Sequence, residues 1–384
     1  MERPPRSGAR LAALALAQIV AWGVMYYAVL VAAPAIADDT GWNDDAVFVA
    51  ITLGLLTSAV CAIPVGHWLD RHPRRIMVTG AVVGTVALVG AAAAPTIWVF
   101  TAAWILCGAA QSAVLYQAAF TVITHRYRFA RRGPLTLVTL AGGLASTIFA
   151  PLTAWLVLEL GWRAAFVTLA GILIIVTLPV YALTVERGWA HIDARAAGDG
   201  TAARVLRTSG FWLVAGSFAL MSFSLYAVTL SAVPASVEKG LDLQTAAWVL
   251  GLIGAGQVLG RLLYLAIPHT APPWIAPASV GALGAAALAA YGIASGAAAI
   301  IATGIIAGAI RGALTLVQAS AVADRWGSNS YGTLNGALAA PVTAVTALAP
   351  GVAALVAEAL GSYAWMAVVM AALCALGGVL AIRR

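Results

Sequence analysis

Twelve apolar stretches, each of roughly 20 residues or more, follow one another along this chain with short connections, and a backbone that crosses lipid so often has to do so as helices. They run over 11–36, 46–66, 76–94, 96–124, 134–160 and 164–185, then 209–233, 243–267, 275–294, 296–322, 333–360 and 363–382. Apolar residues make up 62% of the chain and charged residues 9%, and the mean hydropathy is +0.95. That balance excludes a soluble enzyme and a disordered chain alike. The expected fold class is an all-α membrane protein whose solvent is the lipid bilayer, with twelve transmembrane helices in two pseudo-symmetric six-helix bundles.

Of the 21 Lys and Arg residues, all but four fall in the termini and in connections on one side. The exceptions are Arg163 and Lys239 on the other side and Arg261 and Arg311 inside spans. Positively charged loops resist translocation, so the reading is a multi-pass protein of the cell inner (plasma) membrane with both termini cytoplasmic. The net charge of +7 and the pI near 9.7 then report topology rather than a nucleic-acid partner. The start MERPPRSGAR and the Ala-rich run after it imitate a signal peptide, but the apolar run reaches Ala37, too long for such a segment, so it reads as an uncleaved first helix. Cys61, Cys107 and Cys374 stand in separate spans without a CxxC pairing, which argues against disulfides and thiolate metal sites. His67, His72, His125, His191 and His269 fall in or beside cytoplasmic connections, so no metal cluster is expected, and no cofactor is read.

The long polar stretch 186–208 reads as a cytoplasmic linker. It divides the chain into an N-terminal six-helix bundle, 1–185, and a C-terminal one, 209–384. A faint repeat supports duplication: Pro151, Glu159 and Gly161 in the fifth span against Pro350, Glu358 and Gly361 in the eleventh.

Between the second and third spans lies GHWLDRHPRR, Gly66 to Arg75. Such a loop needs a tight turn at Gly66, a carboxylate in Asp70 able to cap a helix or pair across a boundary, and guanidiniums in Arg71, Arg74 and Arg75 that meet helix C-termini and lipid phosphates. Contacts of this kind hold one conformer and break in another; the alternative is that the three arginines serve topology alone. The segment resembles the signature loop of the major facilitator superfamily, Gly-x-x-x-Asp-Arg-x-Gly-Arg-Arg, with Pro73 where the family usually has Gly. The resemblance implies a secondary transporter that alternates access by rocking its two halves around a central site, not an enzyme, and expected to act as a monomer.

Charge inside a span costs about 2.5 to 3.5 kcal/mol on insertion scales, so Arg261 and Arg311 are the first substrate-binding candidates, with snorkelling toward headgroups as the alternative. Gln257 stands one helical turn before Arg261 in GAGQVLGR and shares its face. A guanidinium with an amide beside it suits a carboxylate. GAGQVLGR also resembles the eighth helix of the monocarboxylate and oxalate-formate transporter branch, as AWGVMYYAVLVAAP in the first span and GWRAAF at Gly161 to Phe166 resemble bacterial members. That likeness implies a small organic anion, plausibly a monocarboxylate. Gln257 stands where the proton-coupled carriers commonly have a carboxylate, and residues 24–37 lack the basic residue often found in the first helix. Glu159 and Glu358 lie near outer helix ends and Asp38, Asp39, Asp44 and Asp45 in an outer loop, so proton coupling, exchange for a counter-anion and uniport stay open.

Tyr26, Tyr27, Tyr116, Gln117 and Tyr226 lie in spans one, four and seven, which line the cavity in the family it resembles, and Asn335 is a further candidate. Aromatic walls with a few polar groups enclose a small organic anion, while interhelical hydrogen bonding is the alternative for each. The main rival function is an efflux carrier for drugs or other xenobiotics. A membrane enzyme would need a nucleophile with its base, and Ser, His and Asp do not gather; a non-transporting sensor would have the same sequence features.

Overall fold

The computed structural model describes residues 7–189, 200–266 and 271–382. Those residues are helical, with turns and no strand among them. The first spans are α1 (Gly8–Thr40), α2 (Asp44–Arg71), α3 (Pro73–Ala92) and α4 (Ile97–Tyr127). The next helix, Arg132–Thr184, is 53 residues long and holds two spans, because Gly161 interrupts it at φ 77° and ψ 158°. We label these α5 (132–160) and α6 (162–184). Then follow α7 (Ser209–Leu230), α8 (Leu243–Ala266), α9 (Ile275–Ile293), α10 (Ala297–Trp326), α11 (Tyr331–Leu360) and α12 (Tyr363–Leu380). Among the described residues, eleven helices are long and apolar enough to cross a membrane, and the divided one supplies the twelfth span.

Local sequence sets the ends of these helices, and it does so twice. Gly41 at φ 68° stops α1, and two residues later Asn43 caps α2 by accepting from Asp45 N at 2.8 Å. Gly240 at φ 86° and Asp242, which accepts from Thr245 N at 2.9 Å, repeat this ahead of α8. Gly161 and Gly361, at φ 77° and 75°, likewise end α5 and α11. Left-handed backbone favours glycine, since a Cβ there meets its own carbonyl. The same stops at the same places in each half are the structural trace of the duplication.

Packing groups the chain into two units. One comprises Met1–Ala202 with Ser328–Ala340, and the other Ala203–Gly327 with Pro341–Arg384. In the first, α2 crosses α4 backbone to backbone, so that a Cβ on Gly108 would stand 1.9 Å from the Gly54 carbonyl oxygen. In the second, Gly281 of α9 lies against Gly378 of α12, and α8 meets α10 through glycines described below. Lipid gives apolar helices no reason to associate, so close approach over small residues supplies the attraction. The outward faces stay apolar: Leu158 is 84% exposed and Ile293 79%. Water would make such a surface aggregate, whereas hydrocarbon solvates it.

Two expectations change. α2 runs through Gly66 to Arg71 and α3 begins at Pro73, leaving His72 alone between them at φ −136° and ψ 57°. No tight turn exists at Gly66; Pro73 sits in a first helical turn, where its missing N–H costs nothing, and pushes His72 out of the helical region. The stretch 186–208 contains a short helix, Gly200–Leu206, while its residues 190–199, His191 included, lie outside the described residues, as does His269.

Candidate functional site

In the C-terminal unit the polar residues gather where α8 crosses α10. A Cβ on Gly260 would stand 1.7 Å from the Ala309 carbonyl oxygen, and one on Gly312 2.1 Å from that of Gln257. Gly256 and Gly308 make equally close approaches, to Ile305 and Ile253. Gly254, two residues before Gly256, has no atom within 4 Å of such a Cβ. The crossing therefore sets Gln257 beside Gly312, the neighbour of Arg311.

Arg311 occupies the middle of α10. Its Nη1 donates to Thr229 Oγ1 at 2.9 Å, and its Cζ lies 3.8 Å from the centre of the Tyr226 ring, both on α7. Its Nε is buried without a hydrogen-bond partner. Hydroxyl and ring orient the guanidinium without neutralising it, for no carboxylate pairs with Arg311 among the described residues. Arg261, in the last turn of the α-helical part of α8, is 8% exposed. Gln257, half-buried, stands one turn before it.

The aromatic candidates in the N-terminal unit form one cluster. Gly23–Tyr27 is a π-helical turn inside α1, and α4 breaks at Leu115, whose backbone is extended. Such interruptions re-aim side chains and free backbone groups. Gln111 Nε2 donates to the Met25 carbonyl in the π turn at 2.8 Å, and Gln18 Nε2 donates to Val114 O, just before the break, at 2.6 Å. Around these breaks Tyr26 packs on Tyr27 at 5.1 Å and on Trp22 at 5.3 Å, and Trp22 packs on Tyr116 at 4.7 Å. Tyr116 OH donates to Thr139 O at 3.1 Å. Trp22 and the two glutamines escaped the sequence reading; Trp22, four residues before Tyr26, could have been found by helical spacing.

Gln117 and Asn335 stand away from those rings. Gln117 Nε2 donates to Ala62 O on α2 at 2.7 Å, and the buried Asn335 lies in the part of α11 that belongs to the same unit. There α2 and α11 touch through Gly66 and Gly332, a Cβ on Gly66 standing 2.2 Å from the Gly332 carbonyl oxygen. One turn on, Asp70 caps α11: Oδ1 accepts from Gly332 N and Oδ2 from Thr333 N and Thr333 Oγ1, each at 2.7 Å. Oδ1 also accepts from His125 Nε2 at 2.9 Å. His125 is 1% exposed within α4 and stacks on Trp189 at 4.6 Å, not in a connection as its basic neighbours suggest. Arg74 Nε donates to Val185 O, past the end of α6, at 2.7 Å, while Arg71 and Arg75 are exposed.

Arg163 and Lys239 both cap helices. Arg163 Nη1 donates to Ala92 O and Ala94 O at 2.7 and 2.9 Å, at the end of α3. Lys239 Nζ donates to Tyr291 O, Gly292 O and Ala294 O at the end of α9. Burial pulls the Lys239 ammonium below the ordinary lysine range, and Glu238 opposes that pull.

A sequence profile described as Major Facilitator Superfamily matches residues 14–289. No curated protein matches the chain in sequence. Among solved structures, a Major Facilitator Superfamily transporter, FucP, in its outward conformation superposes with a TM-score of 0.75 at 16% identity, covering 96% of this chain and 97% of that one. A second structure, of the E. coli fucose:proton symporter FucP, gives 0.74 at 15% identity with 97% of each chain covered. The human organic anion transporter MFSD10 (TETRAN) gives 0.74 at 16% identity, covering 99% of this chain and all of that one.

Proposed function

The chain belongs to the Major Facilitator Superfamily, and from that premise we propose that it is a secondary transporter moving a small organic anion, plausibly a monocarboxylate, by rocker-switch alternating access. The fold leaves the cargo open, since a fucose:proton symporter and an organic anion transporter both superpose on it. The observation that carries the anion is Arg311: a guanidinium at mid-span, steadied by Tyr226 and Thr229 and left with its charge unneutralised among the described residues. Held in low dielectric, such a cation favours a partner that brings a negative charge with it. Gln257, whose backbone the helix crossing brings against Gly312, is the proposed source of an amide, and Arg261, one turn further along α8, of a second cation. Tyr26, Tyr27, Tyr116, Gln117 and Asn335 are the remaining residues of the proposed substrate set.

For the conformational step we propose Gly66, Asp70, Arg71, Arg74 and Arg75 as the gating group. In this reading the bonds from Asp70 to the first turn of α11 hold one state and release in the other. Rocking between states requires that binding energy differ only modestly between them, or the site would trap its cargo.

The test is equilibrium binding of lactate, pyruvate, formate and oxalate to the purified protein, with fucose as a neutral comparison. Saturable binding of one or more anions, weakened at least tenfold in Arg311→Gln, is the expected outcome. Binding of fucose or of cationic amphiphiles, with none of any anion, would move the assignment to sugar transport or xenobiotic efflux.

A further inference from the structure

We infer that His125 is a proton-binding site, and that a proton taken up on its ring releases the first turn of α11 from Asp70. The inference concerns the gating group proposed above and rests on that reading for its consequence in transport, but not for its chemistry. Carriers driven by a proton gradient need a titratable group whose charge affects the choice of conformer. Among the described residues the acids outside the gating group do not offer one: all are exposed except Glu186, which is paired with Arg126 at 2.7 Å. Asp70 and His125 differ, with side chains only 10% and 0% exposed.

The direction follows from which groups share the carboxylate. Asp70 Oδ1 accepts from Gly332 N at 2.7 Å and from His125 Nε2 at 2.9 Å, so the imidazole lies next to the N-terminal end of α11. That helix end carries roughly half a positive charge. A neutral ring adds only a hydrogen bond there. A cationic ring strengthens its own bond to Asp70, draws the carboxylate charge away from the Gly332 and Thr333 amides, and repels the helix end. His125 on α4 and Asp70 on α2 stay paired when α11 leaves, so protonation favours the released form. Protonation and docking are thereby linked, and one proton can shift docking by up to about tenfold per pH unit.

The surrounding charges do not compete for this role. Arg126 is engaged with Glu186 at 2.7 Å and with Thr184 O at 2.6 Å, Arg10 approaches Glu186 at 3.6 Å, and Arg74 bonds Val185 O. Arg71 and Arg75 are exposed and carry their charge at any pH near neutral. His67 is the nearest other titratable group: its Nδ1 lies 3.5 Å from Thr333 Oγ1 and reaches Asp70 only through that hydroxyl.

Hydrogen exchange of residues 331–340, measured on the full chain in nanodiscs between pH 5.5 and 8 and corrected for intrinsic exchange, reads docking without any substrate. The wild type should gain protection by several-fold to about tenfold as pH rises. His125→Gln, whose amide can reach the Nε2 position and so keep a donor toward Asp70 but cannot titrate, should be flat, and His67→Asn should follow the wild type. A flat wild-type profile, or one that persists in His125→Gln, overturns the inference. Should that variant not fold, ¹⁵N NMR of the histidine rings in wild type decides: a ring titrating together with the exchange profile supports it, and none doing so overturns it. Absence of anion transport would remove the anion assignment and leave this result standing.

Discussion

Gly260→Ala separates packing from every other cause of instability. The new methyl would stand 1.7 Å from Ala309 O, 2.5 Å from its carbonyl carbon and 2.8 Å from its Cα. Ordinary contact begins near 3.4 Å, and all three atoms are backbone, so no rotamer change relieves the clash. The two helices must part locally by roughly 1.5–2 Å, and a gap of even 1 Å forfeits a quarter to a half of each dispersion contact. Overpacking of this kind costs about 1–3 kcal/mol, against which alanine's helix propensity returns up to about 1 kcal/mol. Gly254→Ala, with nothing within 4 Å, keeps the propensity gain without the clash. Thermal unfolding in nanodiscs should therefore find Gly260→Ala below the wild type and Gly254→Ala at or above it. At roughly 2–4 °C per kcal/mol for a bundle of this size, the two should differ by about 2–12 °C. Because the same crossing positions the stretch of α8 that carries Gln257 and Arg261, anion affinity should fall in the first variant and not in the second. Equal melting temperatures would refute the claim that α8 and α10 touch through their backbones.

Other consequences are more local. Tyr226→Leu removes the ring 3.8 Å beneath Arg311; a cation–π contact of about 0.5–2 kcal/mol implies a 2- to 30-fold rise in Kd for the anion, which Tyr226→Phe should largely avoid. Gly161→Ala meets no atom within 4 Å but must hold φ at 77°, so about 1–2 kcal/mol of backbone strain should lower its Tm while Gly171→Ala leaves Tm unchanged or raised. Lys239→Met strips three carbonyls at the end of α9 of their donor, and Tm should fall by an amount matching about 1–2 kcal/mol; Lys239→Arg should keep part of the loss from appearing.

What could be read from the chain follows from its solvent. Lipid demands a full apolar span at each crossing, so hydropathy located the helices, and the interruption at Gly161 fell where the sequence put a connection. The paired stops Gly41 with Asn43 and Gly240 with Asp242 were equally legible, as glycine followed by a capping side chain, yet they carry no hydropathy signal. The π turn at Gly23–Tyr27 has no sequence mark at all, being a one-residue change of hydrogen-bond register that packing decides. Gly66 reads as a turn because glycine often makes one; what it does is let α11 approach α2, a contact with Gly332 more than 260 residues away that no local pattern encodes. His125 misled for a similar reason: the arginines after it look like a loop, while Trp189 and Asp70 enclose it. Arg311, for which the sequence leaves snorkelling open, stands in the middle of a 30-residue helix because α10 continues to Trp326.

Flux through the protein bears on the central claim most directly. Proteoliposomes should take up radiolabelled lactate, pyruvate, formate or oxalate saturably, with and without an imposed proton gradient, and Arg311→Gln should abolish that uptake while Arg311→Lys retains part of it. Uptake of none of these anions in either condition, or uptake indifferent to the loss of Arg311, would contradict the account.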